Sequence, residues 1–324
     1  MKTAFYCVAD ERYFLGAVAM INSLRARGHD EPVFLLDCGL TAAQRRVLAP
    51  QVSFVEAPSG VNPFLLTAMA PLAHPAETMV LIDTDMIVNA RLDQPIAQAA
   101  DGFVVAFRTS YERWLAEWAI LLELGELRPG PYLSGGLVLL GGERRIAILR
   151  KLESLFYFVD LDFSSRKLPP YPSDYPFVAL DQDVLNAVLA TREYDELRVA
   201  LEHRLAPNQP FAGLELEAHG ERCAYADGTR PFVVHHLAAK PWQRPMPSSV
   251  FSRLLVHYLS GPDLAIRLPT RAVPSWLRAG PRGRLTRLAI DTRDRVGWRL
   301  RHAAPKPLMD RVDAARARRT GAAG

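Results

Sequence analysis

Along the first 260 positions, short apolar runs alternate with longer stretches of helical periodicity. TAFYCVA, PVFLLD, SFVEA, TMVLID, GFVVAF, LVLL and PFVVHH are rich in aliphatic, β-branched and aromatic residues, which predicts strands. YFLGAVAMINSLRAR places Phe14, Ala17, Val18, Ile21 and Leu24 at i, i+3, i+4, i+7 and i+10, the spacing of one helix face. Residues 63–73, 112–124, 143–158, 181–191 and 248–259 are further helix candidates. This alternation predicts an α/β fold, a mostly parallel sheet with helices on both faces. Ligands of such sheets bind beyond the carboxyl ends of the strands, so polar residues there are the first candidates for chemistry.

The pattern changes near residue 261. Residues 261–324 hold 15 Lys and Arg against 5 Asp and Glu, whereas the preceding residues hold 24 against 30. The expected organisation is a body over residues 1–260 and a basic, partly amphipathic helical extension over 261–324. In the extension Leu285, Leu288, Ala289, Thr292, Val296 and Leu300 fall on one helical face among arginines, with Gly297 interrupting, and Trp276 and Trp298 are candidates for an interface. Basic amphipathic helices with Trp lie on anionic membrane surfaces. Packing on the acidic body is the alternative, and nucleic acid is not an expected partner.

Composition narrows the class. The chain is 49% hydrophobic and 23% charged, which excludes disorder, collagen and coiled coil. No apolar run approaches the ~20 residues of a bilayer span. The N-terminus lacks the apolar core of a signal peptide. Cys7, Cys38 and Cys223 are scattered with no CxxC, against a zinc ribbon or a disulfide framework. A cytoplasmic location is expected, with the tail as a peripheral contact to the inner face of the cell membrane.

Four constellations carry candidate chemistry. Asp83-Thr84-Asp85 closes TMVLID, so both carboxylates belong at the carboxyl end of a strand. They can converge on one cation if the chain stays extended. Hard oxygen donors there suit Mg²⁺ or Mn²⁺, and a solvated turn is the alternative. Both side chains are expected to be partly exposed. Asp160 and Asp162, the same spacing after a helical run, read as a helix exit. His235 and His236 end PFVVHH, and Lys240 precedes Pro241-Trp242: an imidazole can complete a carboxylate metal site, and a lysine can neutralise phosphate. Asp181-Gln182-Asp183 opens a helix, where an N-cap explains the carboxylates as well as chemistry does. Ser134-Gly135-Gly136 precedes LVLL, where glycines allow close approach to a ligand or form a tight turn. Pro-rich loops lie at residues 167–176 and 241–247.

Taken in order, these segments resemble glycosyltransferase family 8 over residues 3–242. Ala9-Asp10-Glu11-Arg12-Tyr13 looks like its nucleotide-binding start, and LIDTD looks like its D-x-D motif. SGGLVLLG is similar to N-[SA]-G-[VL]-x-L-I-N, LDQDVLN to D-Q-D-x-L-N, and HHLAAKPW to H-F-x-G-x-K-P-W. The resemblance implies a GT-A-like, Rossmann-type mixed sheet and a retaining, Mn²⁺-dependent transfer of a hexose from a UDP-sugar to a carbohydrate or lipid-linked hydroxyl. It implies that Asp10 and Tyr13, beside Ala9, hold the uracil. Asp83, Asp85 and His235 would bind Mn²⁺, with Thr84 between the carboxylates and Mg²⁺ as a second choice. Lys240 would contact the pyrophosphate. Asp181 would bind the donor sugar with Gln182 beside the anomeric carbon, and Ser134 and Gly135 would line the sugar pocket. His235 is preferred to His236 because the family's ligand histidine is normally followed by an aromatic residue. The chain departs from the pattern at Ser134, at Ala238, and in PFLLTAMAPLAH, where Thr67 stands near the place of a usual Lys or Arg. The rival readings are a nucleotide-sugar-binding protein without turnover and a sugar nucleotidyltransferase. The Gly-rich, Arg-containing loop expected of the latter is missing from CVADERYFLG.

Overall fold

A computed structural model describes residues 1–163, 176–237 and 239–303. Residues 167–175, Ala238 and residues 304–324, all considered above, lie outside these described residues, as do the side chains of Asp160, Asp162, Trp298 and Leu300.

In chain order the elements are β1 (Thr3–Ala9), α1 (Phe14–Ala26), β2 (Val33–Asp37), α2 (Ala42–Leu48), β3 (Ser53–Glu56), α3 (Met69–Ala73), β4 (Thr78–Ile82), β5 (Met86–Val88), α4 (Asp93–Ala100), β6 (Val104–Arg108), α5 (Trp118–Leu121), β7 (Leu133–Leu140), α6 (Arg145–Phe163), α7 (Asp181–Leu189), β8 (Arg198–Leu201), β9 (Leu214–Leu216), β10 (Cys223–Tyr225), β11 (Val233–His235), α8 (Val250–Ser260) and α9 (Gly280–Ala303). Seven strands form one mixed sheet in the order β3-β2-β1-β4-β7-β6-β8. Among the described residues, only β7 runs against its neighbours in this sheet, β4 and β6, so the sheet is mostly parallel. Two short antiparallel ribbons, β9–β10 and β5–β11, stand outside it.

The sheet divides the core by strand alternation. Phe5, Cys7 and Ala9 of β1 face the side covered by α1 and α8, while Ala4 and Tyr6 face the side covered by α3, α6 and α7. Both faces are therefore buried, and this is why the strands read as continuous apolar runs. α1 is buried on most of its circumference, from Phe14 to Leu24.

The chain continues past residue 260 into the same core: Ile266, Val273, Trp276 and Leu277 pack with α1 and α8. Trp276 is 5% exposed, so it belongs to the interior and not to an interface. Asn22 on α1, 1% exposed, donates to the carbonyls of Tyr258 and Ile266 at 2.8 and 3.0 Å and accepts from Ile266 N–H at 2.7 Å. Residues 112–124, read as one helix, are helical only at α5, because the preceding residues are spent on long-range contacts. Glu112 accepts from Tyr132 N–H at 3.1 Å, and Arg113 reaches Asp183 at 2.9 Å.

Asn22→Ala leaves three buried backbone groups without partners. It is expected to lower the unfolding free energy by about 2–4 kcal/mol in urea denaturation. A loss below about 0.5 kcal/mol would show that the C-terminal segment is held without this amide.

Candidate active site

The site is built where β4 and β7 meet. β4 ends at Ile82, opposite Leu137 in the antiparallel β4–β7 pair, and Asp83 N–H donates to Gly136 O at 2.8 Å. The two glycines lie inside β7 and not in a turn before it. A Cβ on Gly136 would stand 2.5 Å from His235 Cε1, 2.6 Å from Met86 Cε and 2.9 Å from Asp83 Oδ2. Glycine is required there because the imidazole and the carboxylate lie against the strand backbone.

The D-x-D segment does not stay extended. It is a turn, closed by Met86 N–H donating to Asp83 O at 3.2 Å. Thr84 is buried, and its hydroxyl donates to Val8 O of β1 at 3.1 Å. The turn leads directly into β5, whose antiparallel partner β11 places His235 opposite Met86. This ribbon brings residues 150 positions apart to one point. His235 Nε2 lies 3.1 Å from Asp85 Oδ1 and 3.6 Å from Asp83 Oδ2. One ligand atom from each of Asp83, Asp85 and His235 lies within 4.8 Å of the others. His236 is fully buried between Phe211 and Phe251, with Nδ1 2.9 Å from Gln209 Nε2. Between the two histidines, the geometry brings His235 to the carboxylates.

Asp83 is about half exposed, whereas Asp85 is buried, not partly exposed as its sequence context suggests. Crowding by protein, and then the negative charges of Asp85 and Asp181, push the Asp83 pKa up. Burial works against the Asp85 charge too, but His235 and Lys240 more than offset it and hold that carboxyl below the usual range. The Lys240 ammonium is bonded to Asp85 Oδ2 and donates to His236 O at 2.6 Å. It also sits 5.5 Å above the Tyr13 ring.

Asp83, Thr84 and Asp85 open on a cleft of about 310 Å³, lined also by Ala9, Asp10, Tyr13, Thr67 and Asp181. Asp10 caps the turn after β1: its Oδ1 accepts from Arg12 and Tyr13 N–H at 2.9 and 3.0 Å. Trp242 braces that turn, donating from Nε1 to Arg12 O at 2.7 Å and meeting Tyr13 edge-on. Gly16 of α1 accommodates both Trp242 and the D-x-D turn, since a Cβ there would lie 2.6 Å from the indole and 2.4 Å from Thr84 O.

The opposite wall is α7, whose polar residues divide their labour within two turns. Asp181 faces the cleft, and burial raises its pKa to about 7. Gln182 Oε1 accepts from Gly135 N–H at 3.0 Å, and its Nε2 is 3.4 Å from Tyr111 OH. Asp183 is fully buried, accepting from Arg113 at 2.9 Å, Tyr132 OH at 2.6 Å and Ala179 N–H at 2.8 Å. Asn186 pairs with both backbone groups of Leu133 at 2.8 Å, fixing α7 to β7. Ser134 Oγ, 3.4 Å from Gly136 N, lies on the same strand.

Sequence reading missed Tyr111, Arg113 and Tyr132, which hold Gln182 and Asp183 from outside the motif. No local spacing signals them. It also missed the β5–β11 ribbon, because MIV is too short to read as a strand.

The residues present fit a divalent cation. Asp85 Oδ1 is buried without a hydrogen-bond donor, two carboxylates and an imidazole converge, and the missing side chain of Gly136 lets His235 and Asp83 lie together against β7.

No protein-family model and no curated protein sequence matches the chain. Among solved structures, it is similar to a galactosyltransferase, LgtC, in complex with donor and acceptor sugar analogues, at 16% identity and a TM-score of 0.53 over 83% of this chain and 98% of that one. An active-site Gln-to-Glu variant of LgtC is similar at 15% identity and the same TM-score and coverage. The bifunctional glycosyltransferase WbbM, in its apo form, is similar at 13% identity and a TM-score of 0.52 over 82% of this chain and 50% of that one. The chain therefore has the GT-A-like fold found in glycosyltransferases.

The raised Asp181 pKa has a consequence for stability. The folded chain holds a proton there that the unfolded chain, with the ordinary aspartate value of 3.8, releases, so stability falls as pH rises from 3.8 through about 7. In EDTA, Asp181→Asn is expected to melt at an increasingly higher temperature than the wild type as pH goes from 4.5 to 7.5. A melting difference that does not change with pH would contradict a raised pKa at this carboxyl.

Proposed function

We propose that this protein transfers a hexose from a UDP-sugar to a hydroxyl of a carbohydrate or lipid-linked acceptor, with retention of anomeric configuration and dependence on Mn²⁺. The observation that carries this reading is the convergence of Asp83, Asp85 and His235 at the edge of a cleft large enough for a nucleotide, in a glycosyltransferase fold. In this reading those three residues hold the ion. Their mixed oxygen and nitrogen donors favour Mn²⁺ over Mg²⁺. When bound, the ion supplies Lewis-acid stabilisation of the departing diphosphate.

The chain's own groups do the rest. Asp10 and Tyr13, beside Ala9, take the uracil, and Thr84 keeps the carboxylate turn on β1. Lys240 adds a positive charge for the pyrophosphate. Ser134, Gly135 and Asp181 line the donor sugar, with Gln182 by the anomeric carbon.

Retention by two displacements needs a carboxylate nucleophile near the sugar. The Gln182 carboxamide is a poor nucleophile, and Asp183 is buried and held by three donors. A front-face course, in which a departing phosphate oxygen takes the proton of the incoming hydroxyl, needs no such group. A covalent sugar adduct trapped on Asp181 or Asp183 would overturn it.

The tail is read as a contact to the anionic inner face of the cell membrane. Among the described residues, no helix is long and apolar enough to cross a membrane. α9 is held to the body by Arg287, which donates to the carbonyls of Trp276 and Arg278 at 2.8 and 3.0 Å, and by Ile290. Its opposite side carries Leu285, Leu288 and Val296 at 66, 62 and 50% exposure, between Arg282 and Arg293 on one flank and Arg284 and Arg295 on the other. An exposed apolar stripe flanked by arginines is the form of an interfacial helix.

With a panel of UDP- and GDP-sugars and Mn²⁺, UDP release is expected from a UDP-sugar and is expected to stop in EDTA. Asp83→Ala, at a half-exposed position, should reduce it at least about 100-fold, since losing ion-mediated charge stabilisation costs several kcal/mol. Release that ignores EDTA, or none with any donor, would favour a nucleotide-sugar-binding protein without turnover. For the tail, Leu285→Ser with Leu288→Ser and Val296→Ser should abolish co-sedimentation with phosphatidylglycerol vesicles while leaving UDP release in solution unchanged. Vesicle binding by this triple variant equal to wild type would refute the membrane contact.

A further inference from the structure

We infer that Lys240 is the built-in competitor of the divalent ion: its ammonium occupies Asp85 when no ion is bound, and ion entry must release it for the diphosphate. This rests on the metal-binding reading of Asp83, Asp85 and His235. Lys240 is 7% exposed, and Asp85 is 6% exposed. Of the two Asp85 oxygens, Oδ2 is taken by the Lys240 ammonium, while Oδ1, buried and without a hydrogen-bond donor, faces His235 Nε2 at 3.1 Å. Two cations at contact distance on one buried carboxylate repel each other, so each weakens the hold of the other.

The ammonium has somewhere to go. Its other partners, His236 O at 2.6 Å and Leu237 O at 3.4 Å, lie on its own loop, and the Tyr13 ring lies 5.5 Å away on the cleft wall. Released from Asp85, it keeps these contacts and gains a free N–H for an anion in the cleft. Ion and diphosphate then favour each other beyond any direct contact between them, because each is served by the same displacement. The coupling is reciprocal: a diphosphate that draws Lys240 off Asp85 raises the affinity for the ion by the factor that the ion raises its own.

The test is Mn²⁺ binding in the absence of nucleotide, followed by the free-ion electron paramagnetic resonance signal, for wild type, Lys240→Met and Arg12→Met. Arg12 lines the same cleft and touches neither Asp85 nor His235, so its variant controls for loss of one positive charge. Lys240→Met is expected to bind Mn²⁺ alone at least about fivefold more tightly, the lower end of typical coupling between sites. Arg12→Met is expected to change affinity less than twofold. The enhancement of Mn²⁺ affinity by UDP should shrink in Lys240→Met. Unchanged or weaker Mn²⁺ binding by Lys240→Met, or an equal gain in Arg12→Met, would overturn the inference. Should Lys240→Met fold poorly, Lys240→Gln serves, and melting temperature gives a second readout: Mn²⁺ should raise it more in the variant than in wild type. Failure of the wild type to bind Mn²⁺ even with UDP would instead remove the metal-site reading itself.

Discussion

A buried negative charge organises this molecule. Asp85 lies at the start of the β5–β11 ribbon, where an unpaired carboxylate would be costly enough to take up a proton or unfold its surroundings. Everything packed around it answers that charge. His235 arrives on β11 from one side and Lys240 from the loop beyond it. Gly136 leaves room for His235 and Asp83 to lie against β7, and Thr84 anchors the turn to β1. The same compensation that makes the charge tolerable leaves Asp85 Oδ1 buried without a hydrogen-bond donor, beside the His235 imidazole.

The frame of the fold was legible from apolar runs alone. β1, β2, β4 and β6, and the helices α1, α6, α7 and α8, coincide with segments whose pattern names them, because both sheet faces are buried. What could not be read is instructive. β5, β9 and β10 are three residues each, and at that length alternation carries no signal. The direction of β7 was equally invisible: its sequence is that of any buried strand, and only pairing with β4 and β6 shows it to be reversed. The helical pattern at 112–124 failed for a different reason. Long-range contacts of Glu112 and Arg113 outweigh local propensity there.

At the site, the structure brings Asp83, Asp85 and His235 together, but by a local geometry other than the one the sequence suggests. The carboxylate pair was expected to meet a ligand by strand alternation, and it meets His235 across a turn instead. The glycine pair was expected before the strand and is inside it. In Asp181-Gln182-Asp183 neither carboxylate is the N-cap, which is Leu180 without a side-chain bond. Asp183 accepts the Ala179 N–H as a structural acceptor, while Asp181 faces the cleft and Gln182 is aligned by β7. Adjacent positions on a helix point about 100° apart, so one short motif can serve both scaffold and pocket.

The β5–β11 pairing also sets an order of events during biosynthesis. Two carboxylates emerge from the ribosome early, and the imidazole and the ammonium that compensate them follow some 150 residues later. Until Val233–His235 pairs with Met86–Val88, the two carboxylates have no imidazole beside them. Assembly of the Asp83, Asp85 and His235 cluster is thus a late step, possible only after nearly the whole body has been synthesised.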